Sequence, residues 1–392
     1  MPQRPRRTAD DRRDRVVALA VVFAFSVGLG VATLAIPLLA LGAGYGAATV
    51  GFLVATAAGT QFLTRLALPV LLGRFPDRTL IALSSALMLV GFSLLAVDIA
   101  LPVFVLAQVL QGAARAIFWT ASQTHAIRGV SRPVQRLVDV NVAGNAGTLI
   151  GPVLAGSLAS FGLQVAMAAA VAVAALAVMG TPLMRRLPPF DRQLSGGSMS
   201  LLRRDGVDVA CWASAAGGVW WSMVGSYIPV ILVSSGLGPA AIGWLITASE
   251  TAGTVALLSL RNVATRWVPA AVRIGAFGAL TVLAAVAIAA LVMVGPMVDP
   301  PPIVVYAVLL VLGGAASGTV TTMAPAMATL MSEPDEQGDA LSLSGTFRAG
   351  ALFGAPATVG GLLSVMALVP ALLVVVAAAA GPGLIIGRRR RR

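Results

Sequence analysis

The sequence predicts an all-α integral membrane protein with twelve transmembrane helices in two six-helix bundles. Of its 392 residues, 58% are hydrophobic and 11% are charged, and the mean hydropathy is +0.92. This is more apolar surface than a soluble domain buries. All 27 basic residues are arginines, and they are concentrated in every second connection between apolar segments. By the positive-inside bias, this alternation predicts a multi-pass chain with both termini in the cytoplasm.

Twelve apolar segments approach or exceed the roughly 20 residues that cross a bilayer. A break in the middle contains Pro, Gly, Ser and Arg and predicts a cytoplasmic linker at 184–206 between bundles at 16–183 and 207–387. Residues 1–15 and 388–392 are predicted to be polar and basic cytoplasmic tails. The segments cover 16–41, 47–72, 79–98, 101–125, 137–160, 164–183, 207–234, 240–260, 271–295, 302–328, 340–367 and 369–387.

An internal repeat supports the division into halves. The fourth-segment sequence LQGAA, at 110–114, recurs in the tenth segment as LGGAA at 312–316. The fifth-segment sequence GTLIGP, at 147–152, recurs in the eleventh as GALFGAP at 350–356. The two matches occur in the same order and at nearly the same spacing, which is typical of parallel repeats related by an axis along the membrane normal.

The fifth segment carries a stripe of small residues, GNAGTLIGPVLAG, at 144–156. Gly147, Gly151 and Gly156 lie at spacings that let another helix approach backbone to backbone, and Pro152 bends or weakens the helix. The pattern GxxxGPxxxG resembles the antiporter signature of the major facilitator superfamily.

Two further motifs support this resemblance. Gly73, Asp77 and Arg78 match the GxxxDR opening of the superfamily's cytoplasmic loop motif, and Gln111 with Gly112 matches the QG of a third motif. Gln108 occupies the position of that motif's Arg. The resemblance implies the superfamily's two-bundle fold, secondary transport by alternating access, and a drug or metabolite antiporter coupled to protons.

The resemblance also implies a conformational latch. In the superfamily, the matching Asp contacts the start of the eleventh span, so the predicted latch comprises Gly73, Asp77, Arg78 and, as the partner of Asp77, Arg348. This contact would hold the state that is open to the outside and break when the cytoplasmic side opens.

Glu250 is the only acidic residue deep in a predicted span, and a charge there is costly unless it faces a cavity or a partner. One interpretation is a carboxylate that takes up and releases a proton, or that balances a cationic substrate. The other is a permanent partner for an arginine across the two bundles. The residues alone leave both open.

A polar stripe along the fourth segment predicts the wall of a cavity, because such residues are costly against lipid. It comprises Gln108, Gln111, Arg115, Trp119 and Ser122. The resemblance implies that the fourth and seventh spans line a central cavity, which adds Trp220 and Tyr227 as contacts for an aromatic or lipophilic ligand. Thr247 lies beside Glu250. Arg115 would bind an anionic or carbonyl-rich group, or else pair internally, and Arg65 is expected to pair or to reach the membrane surface.

Other classes of function are disfavoured. His125 is the only histidine and Cys211 the only cysteine, so no metal cluster or catalytic constellation is predicted, and a chain without Lys has no Walker lysine. We therefore expect no enzyme activity, no cofactor and no nucleic-acid partner.

The favoured hypothesis is a monomeric exporter in a bacterial inner membrane that exchanges a drug-like or hydrophobic metabolite for protons. Two alternatives stay open: an uptake or exchange carrier for an organic anion bound by Arg115 and Arg65, and a membrane scaffold or lipid-handling protein.

Overall fold

The structure is a computed structural model that describes residues 9–128, 133–189, 199–204, 206–260, 276–297, 303–333 and 337–389. Within these ranges every regular element is helical. The first half contains α1 (Ala9–Gly42), α2 (Ala47–Arg74), α3 (Asp77–Val97), α4 (Leu101–Ile127), α5 (Pro133–Leu158) and α6 (Leu163–Gly180). The second contains α7 (Val207–Val224), α8 (Tyr227–Ser234), α9 (Pro239–Leu260), α10 (Ala276–Met297), α11 (Ile303–Leu330), α12 (Gln337–Leu362) and α13 (Leu368–Arg389).

The predicted seventh segment is a broken helix. α7 ends at Val224, and α8 begins at Tyr227 after a bend of 42°. Gly225 and Ser226 form the break, and the Ser226 hydroxyl donates a hydrogen bond to the Ser222 carbonyl at 2.6 Å. Such a bend inside a membrane requires polar groups that satisfy the freed backbone.

Seven helices of the described chain, α1 to α6 and α11, are long and apolar enough to cross a membrane, and α7 with α8 counts as an eighth if the bent pair is one span. α10 and α13 contain shorter apolar stretches, Ala279–Val294 and Leu368–Ala378. The chain is therefore a multi-pass membrane protein, and the full count of twelve crossings stays a prediction. Part of the predicted linker, 190–198 and 205, and the beginning of the ninth predicted segment, 271–275, lie outside the described residues.

The helices pack into two groups. In the first half, α1 packs on α5 and α6, α3 on α4 and α6, and α2 on α4; in the second half, α11 packs on α7, α9 and α10, α7 on α12, and α10 on α13. The groups meet mainly through two helix pairs, α2 with α12 and α5 with α9, and α8 also contacts α1 and α2. The two-bundle, all-helical fold expected from the sequence is thus confirmed.

Glycines set the closest approach inside the first bundle. A Cβ built on Gly147 of α5 would lie 2.6 Å from the Phe23 carbonyl oxygen of α1, and one on Gly151 would collide with the Gly30 backbone. Nearby, the rings of Phe25 and Phe118 stack with centroids 3.6 Å apart. The first bundle is therefore held by direct backbone contact, which depends on shape and so favours movement as one body.

Candidate functional site

The two bundles meet along a surface that we call the seam, formed by α2 and α5 on one side and by α8, α9 and α12 on the other. Its closest contacts lie toward one face of the membrane, the face of connections 43–46, 98–100, 159–162, 235–238 and 363–367. These connections contain no arginine, so we call this face the Arg-poor side and the opposite face the Arg-rich side.

Between α5 and α9 the seam is a backbone contact. A Cβ on Gly156 would lie 2.5 Å from the Pro239 carbonyl oxygen and 3.1 Å from Ala240 Cα. A Cβ on Gly243 would collide with the Pro152 carbonyl oxygen. The small-residue stripe of α5 therefore has two uses: Gly147 and Gly151 face α1 inside the bundle, whereas Gly156 and the Pro152 carbonyl face the other bundle.

Side chains continue this contact toward the middle of the membrane. The Thr247 hydroxyl donates to the Leu149 carbonyl oxygen across the seam at 3.0 Å. About one helical turn further along α9, Glu250 is 7% exposed, and its side chain lies close to that of Thr148 across the seam. Its Oε2 atom is buried without a partner. Among the described residues no arginine forms an ion pair with Glu250, so the permanent ion pair considered above is not formed in this structure.

Thr148 is the residue of this site that sequence reasoning did not single out. It lies inside the small-residue stripe, where only the glycines and the proline drew attention. One signal in the sequence could have identified Thr148. It is a polar residue between Gly147 and Gly151, on a helix that is predicted to pack closely against another. The Thr148 hydroxyl also lies 3.0 Å from the Asn145 carbonyl oxygen.

Between α2 and α12 the seam is closed by an aromatic residue. Tyr227 is fully buried at the start of α8, and its hydroxyl donates to the Pro356 carbonyl oxygen of α12 at 3.3 Å. The same hydroxyl fills the space beside Gly51 of α2, and a Cβ on Gly59 would lie 3.1 Å from the Phe353 ring. Tyr227 was predicted to line a cavity, and in this structure it fills the seam.

The other predicted cavity residues do not share one surface. Gln108 and Gln111 are buried, and the Gln111 Cγ atom lies 3.2 Å from the Cβ position of Gly91 on α3, inside the first bundle. Trp220 is also buried, with its ring filling the space beside Gly313 on α11. Gln111 and Trp220 therefore lie within bundles in this structure.

Two members of the fourth-segment stripe remain partly exposed. Trp119 packs edge-to-face on Phe118 at 6.2 Å and lies against Gly144 of α5. Arg115 is partly buried, its Nε atom has no partner, and among the described residues no acidic group pairs with its guanidinium. The buried amide nitrogens of Gln108 and Gln111 likewise lack partners. α4 therefore carries unused hydrogen-bonding capacity in the middle of the membrane.

The structure gives Asp77 a partner other than the predicted one. Its buried carboxylate accepts a hydrogen bond from Arg128 Nη1 at 2.9 Å and lies 3.4 Å from the Thr124 hydroxyl. Both partners belong to α4 or its end, so the Asp77–Arg348 pair between bundles is not formed in this state. Nothing lies within 4 Å of the Cβ position of Gly73.

Arg78 and Arg128 instead hold the beginning of the linker. Arg78 Nη1 donates to the carbonyl oxygens of Pro182 and Met184 at 3.3 and 3.1 Å, and Arg128 donates to those of Pro188 and Pro189. Arg78 of the motif, together with Arg128, therefore fastens the linker to the Arg-rich end of the first bundle.

A second polar cluster at this end was not foreseen from the sequence. Asp14 accepts a hydrogen bond from the Arg185 backbone at 2.6 Å and lies 3.1 Å from His125 Nε2. Arg15 pairs with Asp139 at 2.7 Å. No group of three or more potential metal ligands occurs in the ranges that the structure covers.

Comparisons with known proteins agree with this architecture. The family model described as "Major Facilitator Superfamily" matches residues 18–356. A mutant of the nucleoside transporter NupG aligns with a TM-score of 0.73 at 13% identity, covering 96% of this chain and 98% of the other. A POT family transporter solved with 5-aminolevulinic acid aligns with a TM-score of 0.75 at 13% identity and 96% coverage of both chains. A POT family transporter with a thioalcohol-conjugated peptide gives 0.75 at 12% identity and 97% coverage of both. No curated protein matches significantly. At these identities the solved structures share the fold alone.

Proposed function

We infer the function from one premise: this chain belongs to the Major Facilitator Superfamily and is a membrane transporter, not an enzyme. We propose that it is a secondary active transporter of small molecules that exports a drug-like or hydrophobic metabolite in exchange for protons. The Arg-rich side is then cytoplasmic and the Arg-poor side external, across a bacterial plasma membrane.

The construction of the seam supports alternating access. Within the first bundle, α1 and α5 touch through the backbones of Gly30 and Gly151. Across the seam, the described contacts are the backbone approach of α5 and α9 at Gly156, the packing of Tyr227 and Phe353 against α2, and one side-chain hydrogen bond, that of Thr247. This hydrogen bond contributes only about 0.5–1.5 kcal/mol net. The two bundles can therefore separate along this surface without loss of their internal packing.

Buried Glu250, with its unpartnered oxygen, is the observation on which the proton-coupled proposal rests. An ionised carboxylate in such a place is costly because it has lost its water and gained no cation. Thr148 has one hydroxyl hydrogen, and the Asn145 carbonyl already lies within bonding distance of it. A protonated Glu250 can donate to the Thr148 oxygen, whereas an ionised Glu250 competes with Asn145 for the single hydrogen.

This chemistry links the charge of Glu250 to the seam. A proton taken up from water on the external side neutralises the carboxylate and lets α5 and α9 close. Substrate that enters from the cytoplasmic side favours release of the proton, and the ionised carboxylate then favours an open, wetted seam. Each cycle moves a proton inward and a substrate outward.

Flux in proteoliposomes tests this proposal with a lipophilic fluorescent dye as substrate and an imposed pH gradient. We expect Glu250→Gln, which resembles the protonated side chain, to lose at least tenfold of the gradient-driven flux while its melting temperature stays near that of the parent protein. Glu333→Gln makes the same chemical change at an exposed position and should transport normally. Gradient-driven export by Glu250→Gln at the parent rate would contradict the role of Glu250.

A second candidate function follows from Arg115. Its guanidinium is partly buried on α4 and has no acidic partner among the described residues, and arginine binds carboxylates through two parallel hydrogen bonds. We therefore keep an uptake or exchange carrier for an organic anion as the alternative. In this case Arg115→Gln should abolish uptake of a labelled carboxylate, and Glu250→Gln should leave it intact.

A further inference from the structure

Two arginines face each other across the seam on its Arg-rich side. The helices α2 and α12 run antiparallel, and Gly59 lies against Phe353. From that contact, Arg65 lies about 9 Å and Arg348 about 8 Å along its own helix toward the Arg-rich side, at a rise of 1.5 Å per residue. The two residues are therefore level with each other, one on each of two helices that pack together.

Neither arginine has an anion to balance it. Among the described residues, Arg65 and Arg348 form no hydrogen bond and no ion pair, and the Arg348 Nε atom is buried without a partner. The Arg65 side chain is exposed and is not enclosed by the protein. Asp77, the partner that the family resemblance implies for Arg348, is engaged with Arg128.

Two like charges at membrane depth repel each other, and the low dielectric strengthens that repulsion. An anion between the two guanidinium groups lowers the electrostatic free energy of this arrangement. Guanidinium groups suit this purpose because each presents a planar pair of donors that matches two oxygens of a phosphate or carboxylate. Two facing guanidinium groups match a ligand with oxygens on both sides and two negative charges.

We propose that Arg65 and Arg348 together bind a small dianion, of the phosphate or dicarboxylate class, that bridges the two bundles. Because one arginine comes from each bundle, the ligand binds most tightly when the Arg-rich ends of α2 and α12 approach each other. Binding therefore favours closure of the Arg-rich side. Without the anion, repulsion between the two guanidinium groups holds these ends apart. The site acts on the conformational equilibrium and does not depend on proton coupling through Glu250.

Thermal denaturation of the full-length purified protein tests the site, with inorganic phosphate titrated against chloride at constant ionic strength. A ligand that binds only the folded state raises the melting temperature. We expect a saturable increase for the parent protein and for Arg186→Gln, which removes an exposed arginine of the linker. Arg65→Gln and Arg348→Gln should each weaken the phosphate effect at least tenfold.

A spectroscopic distance supplies a second readout. Spin labels placed on the Arg-rich ends of α2 and α12 should approach each other when phosphate is added to the parent protein, and should not do so in either glutamine variant. If a glutamine variant fails to fold, Arg65→Lys and Arg348→Lys keep the charge but lose the paired donors, and they should bind phosphate more weakly than the parent.

The source of the phosphate group is settled by repeating the titration in lipid discs. If phosphatidic acid replaces the effect of free phosphate, and both arginines are needed, the ligand of the site is a lipid headgroup. If free phosphate acts equally in discs of phosphatidylcholine, the ligand is soluble. The proposal is overturned if phosphate has no effect on the parent protein, or if it stabilises the parent and the Arg65 and Arg348 variants equally. Phosphate binding is measured at equilibrium without a pH gradient. A negative result in this test therefore does not change the interpretation of gradient-driven flux in Glu250→Gln.

Discussion

Replacing Gly156 with alanine should shift the protein away from the state described above. The new Cβ would lie 2.5 Å from the Pro239 carbonyl oxygen and 3.1 Å from Ala240 Cα. Both are backbone atoms and cannot swing aside, so α5 and α9 must separate by about 1 Å to reach an ordinary C···O distance. Overpacking of this kind costs about 1–3 kcal/mol. The cost applies only when the seam is closed, so we expect a shift of about 5- to 150-fold toward the open seam.

Electron–electron resonance between two spin labels measures that shift. Phe161→Cys and Val365→Cys place one label on the Arg-poor end of each bundle at exposed positions, and the only native cysteine, Cys211, is buried. The population with the longer distance should increase in Gly156→Ala. Gly354→Ala is the matched control, because its Cβ would meet nothing within 4 Å.

The measured distance distributions can contradict this prediction in two ways. An unchanged distance distribution in Gly156→Ala would mean that the α5–α9 contact does not govern the equilibrium, and an equal shift in Gly354→Ala would mean that the effect is not steric. Gly151→Ala distinguishes an effect on the seam from an effect on packing inside the bundle. Its new Cβ would collide with the Gly30 backbone inside the first bundle. This variant should therefore lower the melting temperature and leave the distance between the labels unchanged.

Two further predictions concern buried polar groups. Asp77→Asn removes the negative charge that pairs with Arg128, which keeps its acceptors at Pro188 and Pro189. A hydrogen bond to a charged group contributes about 1.5–3 kcal/mol, so thermal denaturation should show a clear loss of stability, and a melting temperature equal to the parent's would contradict a structural role for the pair. Tyr227→Phe removes the hydrogen bond to the Pro356 carbonyl, worth about 0.5–1.5 kcal/mol. Because this bond joins α8 to α12 within the second bundle, thermal denaturation should show a small loss of stability while the spin-label distances described above stay as in the parent; a clear shift toward the longer distance would contradict this placement.

The sequence was most informative where a property belongs to one helix or one connection. Apolar length predicted the first six helices closely, and alternation of arginines predicted which connections share a membrane face. The spacing of Gly147, Gly151 and Gly156 predicted close helix packing, because residues three or four apart share a face of any helix. The isolation of Glu250 in an apolar segment marked it as a candidate, because an unexplained charge in a membrane is costly wherever its helix lies.

Tertiary structure alone decided which helix each face meets. The polar stripe of α4 appeared as one surface in the sequence, yet Gln111 faces α3 while Arg115 and Trp119 remain partly exposed. Asp77 pairs with Arg128 in its own bundle and not with Arg348 in the other, because a pair between bundles depends on their relative position. Thr148 belongs to the site only because the packing of α5 on α9 places it beside Glu250. Helical periodicity fixes the angles between side chains on one axis, but the rotation and separation of neighbouring axes come from packing between segments distant in the chain, and those decide which polar groups meet.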